Sequence, residues 1–281
     1  MNRTTAFITV ADSLRLVWSS FQLHTATTGG IKTPFAELNR LTGGIAKGRL
    51  WCIGAAPWLR TELALNFVHY AAIQDHLLHS SLLFSTTVLH QSVTRKLLAL
   101  AAEVCPAGFY DQGFNHDERV RLNTATEMLQ RAPIAISDTA TLTINELQDM
   151  LAFYIRQDPT ELVCLDGLQG LRVGPAGMEV LPEHYLPVIS RLQEMASCLN
   201  VAMLVFLDYS SLPMFRNIVP EWEKISEFTD VFAWVQTLTT ATSDEMKSGI
   251  PVTLHLPRNL GGDPAVIDLR YFPHTGRFAN R

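Results

Sequence analysis

Along most of its length the chain alternates short apolar runs with longer segments of helical period, and this order restricts the fold more than any other feature. RLWCIGAA (49–56) precedes TELALNFVHYAAIQDHL (61–77), and SLLFS (81–85) precedes HQSVTRKLLALAAEV (90–104). PIAIS (133–137), INELQDMLAFYIRQ (144–157), ELVCLDG (161–167), HYLPVISRLQEMASCL (184–199) and VAMLVFL (201–207) continue the pattern. Strands separated by helices of this length predict βαβ units, hence an α/β fold with a mostly parallel, twisted sheet and helices on both faces. Three later runs, DVFAWVQ (230–236), PVTLHLP (251–257) and AVIDLRYF (265–272), have turn-rich stretches between them and no comparable helix. They predict antiparallel edge strands toward the C-terminus.

With 281 residues, 47% of them hydrophobic and 17% charged, the chain can bury one large core, and a disordered chain is excluded. No apolar run approaches the roughly 20 residues of a membrane span, and the opening MNRTTAFITVADS lacks a basic segment followed by an apolar one. A cytoplasmic protein without membrane contact is expected. Cys52, Cys105, Cys164 and Cys198 form no CxxC pair, so they predict buried thiols rather than a zinc or redox site. The net charge of −5 means that any nucleic-acid contact has to be local.

TVADSLRLVWSSF (9–21) places Val10, Leu14, Val17 and Phe21 on one helical face, and TATTGG (25–30) then breaks it. Residues 1–29 therefore read as an amphipathic helix on a tether, ahead of a domain over residues 30–281. The helix either caps its own core or docks on a neighbouring subunit. GLQGLRVGPAGMEVLPEH (167–184) is the longest Gly/Pro-rich insertion and follows a strand, which makes it a site candidate. His76 and His79 share a helical face and no carboxylate or thiol is read at ligand spacing beside them, so a solvated helix end is expected there and no metal.

Three stretches carry a family resemblance. GIKTPFAELNRLTGGIAKGRL (30–50) reads as a glycine, a Thr-x-Phe turn, a Leu-Asn-x-Leu helix, paired glycines and a strand. Gly43 and Gly44 suit a left-handed helix end, and Gly48 a turn into the strand. APIAISDTATLTINELQDMLAFYIRQDPTELVCLDGLQGL (132–171) has a strand ending in Ser-Asp, a Thr-Leu-Thr helix start and an Asp-terminated strand followed by Leu-Gln. PVTLHLPRNLGGDPAVIDLRYFPHTGRFAN (251–280) has an Arg-Asn hairpin, a strand and an Arg-Phe close. From residue 30 onward the chain thus resembles the motor domain of DnaB-type replicative helicases and their RecA and KaiC relatives. The resemblance implies a RecA-like P-loop NTPase fold. It also sets the amphipathic helix where the family has a linker helix that packs on the next subunit of a ring.

A working phosphate loop needs glycines whose amides point inward, a lysine for the β- and γ-phosphates and a Ser or Thr for Mg²⁺. GAAPWLRTELALNF (54–67) aligns with the family's loop on Pro57 and on Leu63-Ala64-Leu65-Asn66. Arg60 then stands for the lysine, Thr61 keeps the hydroxyl and a glycine is missing. Such a loop, one residue short and carrying Trp58 and Leu59, is expected to turn its amides away from a triphosphate. The implied cofactor is none, or weakly bound ATP with Mg²⁺ held by Pro57, Arg60, Thr61 and Asp166. Read without the resemblance, the stretch is a strand-to-helix turn.

The family's water-orienting carboxylate falls on Thr87, and a hydroxyl cannot act as that base. Asp166 matches the family's Mg²⁺-associated aspartate, or else caps the following turn. The phosphate-sensing amide falls in Leu207-Asp208-Tyr209, where Asp208 would repel a triphosphate. Leu256-Pro257-Arg258 keeps the arginine of the family's finger pair and loses the lysine. Arg258 would act in trans, or is an exposed hairpin arginine. Near the family's DNA-facing loop the positive charges are Arg172 and Arg191, while Gln193 and Glu194 stand where a lysine is expected. Two arginines make a thin groove, so contact with single-stranded DNA is expected to be weak.

The resemblance and the altered site leave three expectations. The chain is a catalytically degenerate relative acting through protein contacts in DNA replication or its regulation, with itself or a helicase-like protein as partner. Alternatively it is a weak ATP-dependent DNA helicase or ATPase working as an oligomer, or a scaffold subunit unconnected to DNA. Deleting residues 1–29 distinguishes the two roles of the leading helix. Light scattering is expected to fall from oligomeric to monomeric mass if the helix docks on a neighbour, and to stay unchanged if it caps its own core.

Overall fold

The structure is a computed structural model that describes residues 10, 14, 29–111, 113–139, 141–174, 177–180, 184–208, 224–237, 248–259 and 262–281. Val17, Phe21 and Tyr209, and part of the 167–184 insertion, lie outside the described residues. Strands β1 (Leu50–Ala55), β2 (Ser81–Ser85), β3 (Ile134–Ser137), β4 (Leu162–Asp166), β5 (Arg172–Val173), β6 (Met178–Glu179), β7 (Ala202–Asp208), β8 (Val231–Thr237), β9 (Ile250–Asn259), β10 (Ala265–Phe272) and β11 (Arg277–Asn280) form two sheets. The main sheet has the order β11-β10-β9-β8-β1-β7-β4-β2-β3, and β5 and β6 pair separately. β1, β2, β4 and β7 are buried at every position, the condition under which a strand reads as an unbroken apolar run.

Helices α1 (Ala36–Thr42), α2 (Pro57–His69), α3 (His90–Ala102), α4 (His116–Arg131), α5 (Ile144–Gln157) and α6 (Tyr185–Leu199) flank this sheet. On one face Leu59, Leu63 and Phe67 of α2 and Val93 and Leu97 of α3 join Trp51, Ile53 and Phe206 in a core. On the other, Leu147 and Leu151 of α5 and Val188 and Leu192 of α6 join Cys52, Phe84 and Val205. Gly43, Gly44 and Gly48 all have positive φ, at 77°, 98° and 76°, as the helix end and the turn into β1 require. No helix among the described residues is long and apolar enough to cross a membrane.

Several expectations need correction. β8 pairs in parallel with β1, so the antiparallel edge consists of β9, β10 and β11. The VFAWV core of β8 is almost wholly buried, the signature of an interior strand rather than an edge. α4 is absent from the apolar pattern because Ala125 is its one buried residue; a capping box of Asn115 and Glu118 starts it, and it packs mainly on α3, touching the main core only through half-buried Leu129. Cys52 and Cys164 are buried, and burial pushes both thiols up, but Cys105 and Cys198 are exposed. His79 is not a solvated helix end: it is buried, with Nδ1 2.8 Å from Glu161 Oε2 and Nε2 3.5 Å from Asp75 Oδ2. The chain leaves helical geometry after a π-turn over Tyr70–Gln74, which swings His79 inward and leaves His76 in solvent.

α2 is fixed by the C-terminal hairpin. Asn66 Nδ2 donates to the carbonyls of Glu62 and Gly276 at 2.8 Å each, and its Oδ1 accepts the Phe278 amide at 2.9 Å. Asn66→Ala strands a buried carbonyl and a buried amide, and is expected to cost about 3 kcal/mol in urea unfolding. His69, in the last turn, is buried, its Nε2 has no hydrogen-bond partner among the described residues, and burial lowers its pKa to about 4. The fold thus prefers neutral imidazole. Its contribution is whole above the unfolded value of about 6.5 and declines as pH falls toward 4, a loss on the order of 2 kcal/mol by about pH 4.5. His69→Phe is expected to flatten that part of the stability profile.

Candidate functional site

In an open α/β sheet, ligands bind beyond the carboxyl ends of the strands. The ends of β1, β2, β4 and β7 meet here: Ala55 lies opposite Asp208 and Ser85 opposite Asp166. β1 ends at Ala55 and α2 starts at Pro57, so Ala56 alone joins them. Pro57 has no N–H, and the amides of Leu59 and Arg60 both donate to the Ala56 carbonyl, at 2.8 and 2.9 Å. A phosphate cradle needs amides that converge on an anion, whereas these close the first helical turn.

Below that turn the polar groups satisfy one another. Arg60 Nε donates to Asp166 Oδ1 at 2.8 Å, and Arg60 Nη2 donates to Thr87 Oγ1 at 2.7 Å. Thr61 Oγ1 donates to the other carboxylate oxygen, Asp166 Oδ2, at 2.7 Å. Arg60, Thr61 and Asp166 are only 3%, 4% and 1% exposed, which makes the ion pair an interior one that water screens little. Thr86 Oγ1 donates to the carbonyls of Asp166 and Gly167, at 3.1 and 2.7 Å, tying β2 to β4. Gly167 has φ 102°, and a Cβ there would stand 3.1 Å from Arg60 Cζ. Glycine thus leaves room for the guanidinium.

Tyr185, at the start of α6, is also directed to this end of the sheet. Burial pushes its phenol up to about 12, with the negative charge of Asp208 adding and the positive charge of Arg60 opposing. Its hydroxyl finds no hydrogen-bond partner among the described residues.

Of the residues singled out in the sequence, Pro57, Arg60, Thr61, Asp166 and Thr87 come together, with Asp208 at the end of the adjacent strand. Arg258 does not. It is exposed on β9, opposite Phe232 at the start of β8, and so away from the strand ends that carry Asp166. Arg191 is held by Glu194 and by Gln148 Oε1 at 2.6 Å each, Arg172 donates to the Leu171 carbonyl at 3.2 Å, and Gln193 donates to Asp230 at 3.2 Å. The sequence did not single out Thr86, Gly170 or Tyr185. The Gly-x-x-Gly of Gly167 and Gly170 after an Asp-terminated strand was the one available signal. Among the described residues, no three His, Cys, Asp or Glu side chains form a set that could hold a metal ion.

Residues 30–211 match the family described as the DnaB-like helicase C terminal domain. The chain is similar to the replicative DNA helicase DnaB of Geobacillus stearothermophilus, 21% identical over 288 residues, which is 98% of this chain and 62% of that protein. It is 25% identical over 191 residues to the replicative DNA helicase DnaB of Mycoplasma pneumoniae, covering 63% of this chain and 39% of that one. It therefore spans less than two thirds of the length of these curated relatives. A solved ATPase domain superposes with a TM-score of 0.80 at 18% identity, over 98% of this chain and all of that one. A DnaB-like replicative helicase, solved in a study of its interactions with primase, gives 0.77 at 18% identity over 98% of this chain and 68% of its own. At that identity the likeness establishes the fold, that of the RecA-like ATPase domains.

The packing around Thr86 gives a direct check on the site's geometry. A Cβ on Gly170 would lie 2.1 Å from the Thr86 side chain. Gly170→Ala is therefore expected to cost about 1–3 kcal/mol in denaturant unfolding.

Proposed function

The chain belongs to the DnaB-like helicase C-terminal domain family, and from that premise we propose that it acts in DNA replication or its control through protein contacts, without nucleotide turnover. One observation carries the reading: Ala56 is the only residue between β1 and α2, and the amides of Leu59 and Arg60 bond to its carbonyl. A triphosphate needs a ring of free amides and a lysine point charge, and displacements of about 1 Å at a reacting centre already cost on the order of 100-fold in rate. Thr87 in place of a general base and Asp208 in place of a neutral sensor weigh the same way. In isothermal titration with Mg-ATP the expected result is no saturable binding in the micromolar range and no phosphate release; micromolar binding with turnover would overturn the proposal.

A second reading, a slow ATPase or helicase within an oligomer, draws support from the hydrogen bond between Thr61 and Asp166 at 2.7 Å. That pair would hold Mg²⁺ if the cleft opened, with Arg258 supplied by a neighbour. DNA-stimulated phosphate release abolished by Asp166→Asn is its expected sign, and an oligomer without release above background removes it. Binding to single-stranded DNA is expected to be weak in either case, since Arg191 is committed to Glu194 and Gln148.

Self-association is the partner mode we favour. Val10 and Leu14 are 76% and 60% exposed, so their own domain does not cover this part of the apolar face. A groove of about 410 Å³ between the π-turn and α4 is lined by Ala72, Ile73, Leu78 and Met128, with Glu127 and Arg131 beside them. The leading segment of a second copy offers matching chemistry: apolar Val10, Leu14, Val17 and Phe21, with Asp12 and Arg15 of opposite sign. Leu14→Glu and Met128→Glu are each expected to shift the mass seen by light scattering toward the monomer.

A further inference from the structure

We propose that Arg60 is a resident cation, a side chain that keeps a metal ion off Asp166 and holds the cleft shut without a ligand. The inference rests on the reading above and goes beyond it, because it assigns the closed state to one residue rather than to a shortened loop. Asp166 sits at the end of β4 with its carboxylate 1% exposed, and a charge so buried needs a compensating partner. Both of its oxygens are engaged, Oδ1 by Arg60 Nε and Oδ2 by Thr61 Oγ1. Mg²⁺ demands near-octahedral oxygen ligands at about 2.1 Å and gives up its water reluctantly, so it competes poorly for a carboxylate already neutralised at hydrogen-bond distance.

The guanidinium suits this role better than an ammonium would. Its planar fork presents Nε to Asp166 and Nη2 to Thr87 at once, spanning the ends of β4 and β2. Since Arg60 belongs to the first turn of α2, a single side chain joins three elements that a bound nucleotide and metal would otherwise bridge. Gly167 completes the fit, because any Cβ there would crowd the guanidinium carbon at 3.1 Å. Remove the guanidinium, and the carboxylate is left buried and uncompensated beside the Thr61 hydroxyl, at the edge where Thr87 is exposed. A divalent cation can then supply the missing charge, with the oxygens of Asp166 and Thr61 as ligands and water completing its shell.

Thermal unfolding of the full chain, with and without millimolar MnCl₂ and without nucleotide, tests this, alongside electron paramagnetic resonance of free Mn²⁺. The wild-type chain is expected to bind no Mn²⁺ and to keep its Tm. Arg60→Met is expected to lower Tm by about 10 °C, to bind Mn²⁺ and to regain part of the loss. Adding Asp166→Asn to that variant removes the stranded charge, and is expected to restore stability and abolish the Mn²⁺ response. Arg60→Lys keeps the charge but loses the fork; it should be less stable than wild type yet still exclude Mn²⁺, and it decides the matter if Arg60→Met does not fold. Mn²⁺ binding to the wild type that disappears in Asp166→Asn overturns the inference, as does an Arg60→Met or Arg60→Lys chain as stable as the wild type. Because ATP is absent, these outcomes are separate from any result on nucleotide binding.

Discussion

A carboxylate in a protein interior has to be neutralised, and the way Asp166 is neutralised organises this end of the molecule. Its oxygens take Arg60 and Thr61 from the first turn of α2, while its backbone carbonyl takes Thr86 from the end of β2. Arg60 reaches on to Thr87. Helix and strands are thereby joined by hydrogen bonds of 2.7–3.1 Å. A buried pair of this kind contributes little net stability relative to an apolar replacement, yet loss of one partner is expensive. It ties the first turn of α2 to the ends of β4 and β2.

The rest of α2 is fixed just as firmly from the other direction. Asn66 binds the backbone of Gly276 and Phe278, the Tyr271 hydroxyl donates to the Glu62 carboxylate, and Trp58 lies against the Tyr271 ring at 5.8 Å. The C-terminal hairpin of β10 and β11 therefore braces the helix that in a nucleotide-binding relative would carry the phosphate loop.

Much of the fold was legible in the sequence, because interior strands and their covering helices leave unmistakable patterns. β2 and α5 coincide with the runs SLLFS and INELQDMLAFYIRQ. The misses have physical causes. α4 packs on another helix and buries only Ala125, so it has almost no apolar stripe. β8 sits inside the sheet although no long helical pattern precedes it. His79 looked solvated because spacing alone cannot reveal a π-turn or a carboxylate, Glu161, that arrives from 82 residues away. At the site, the convergence of Arg60, Thr61 and Asp166 followed from the resemblance. The direction of Arg60 did not: a residue aligned with a phosphate-binding lysine turns inward to a carboxylate, and neither spacing nor residue type specifies which of those partners a long cation will choose.

A crystal structure of the full chain grown with Mg-ATP examines the central claim most directly. The predicted result is Arg60 Nε still 2.8 Å from Asp166 Oδ1, with α2 starting at Pro57 and no phosphate density above it. Electron density for a triphosphate seated between Ala56 and Thr61, with Arg60 swung away and Mg²⁺ against Asp166, would contradict it.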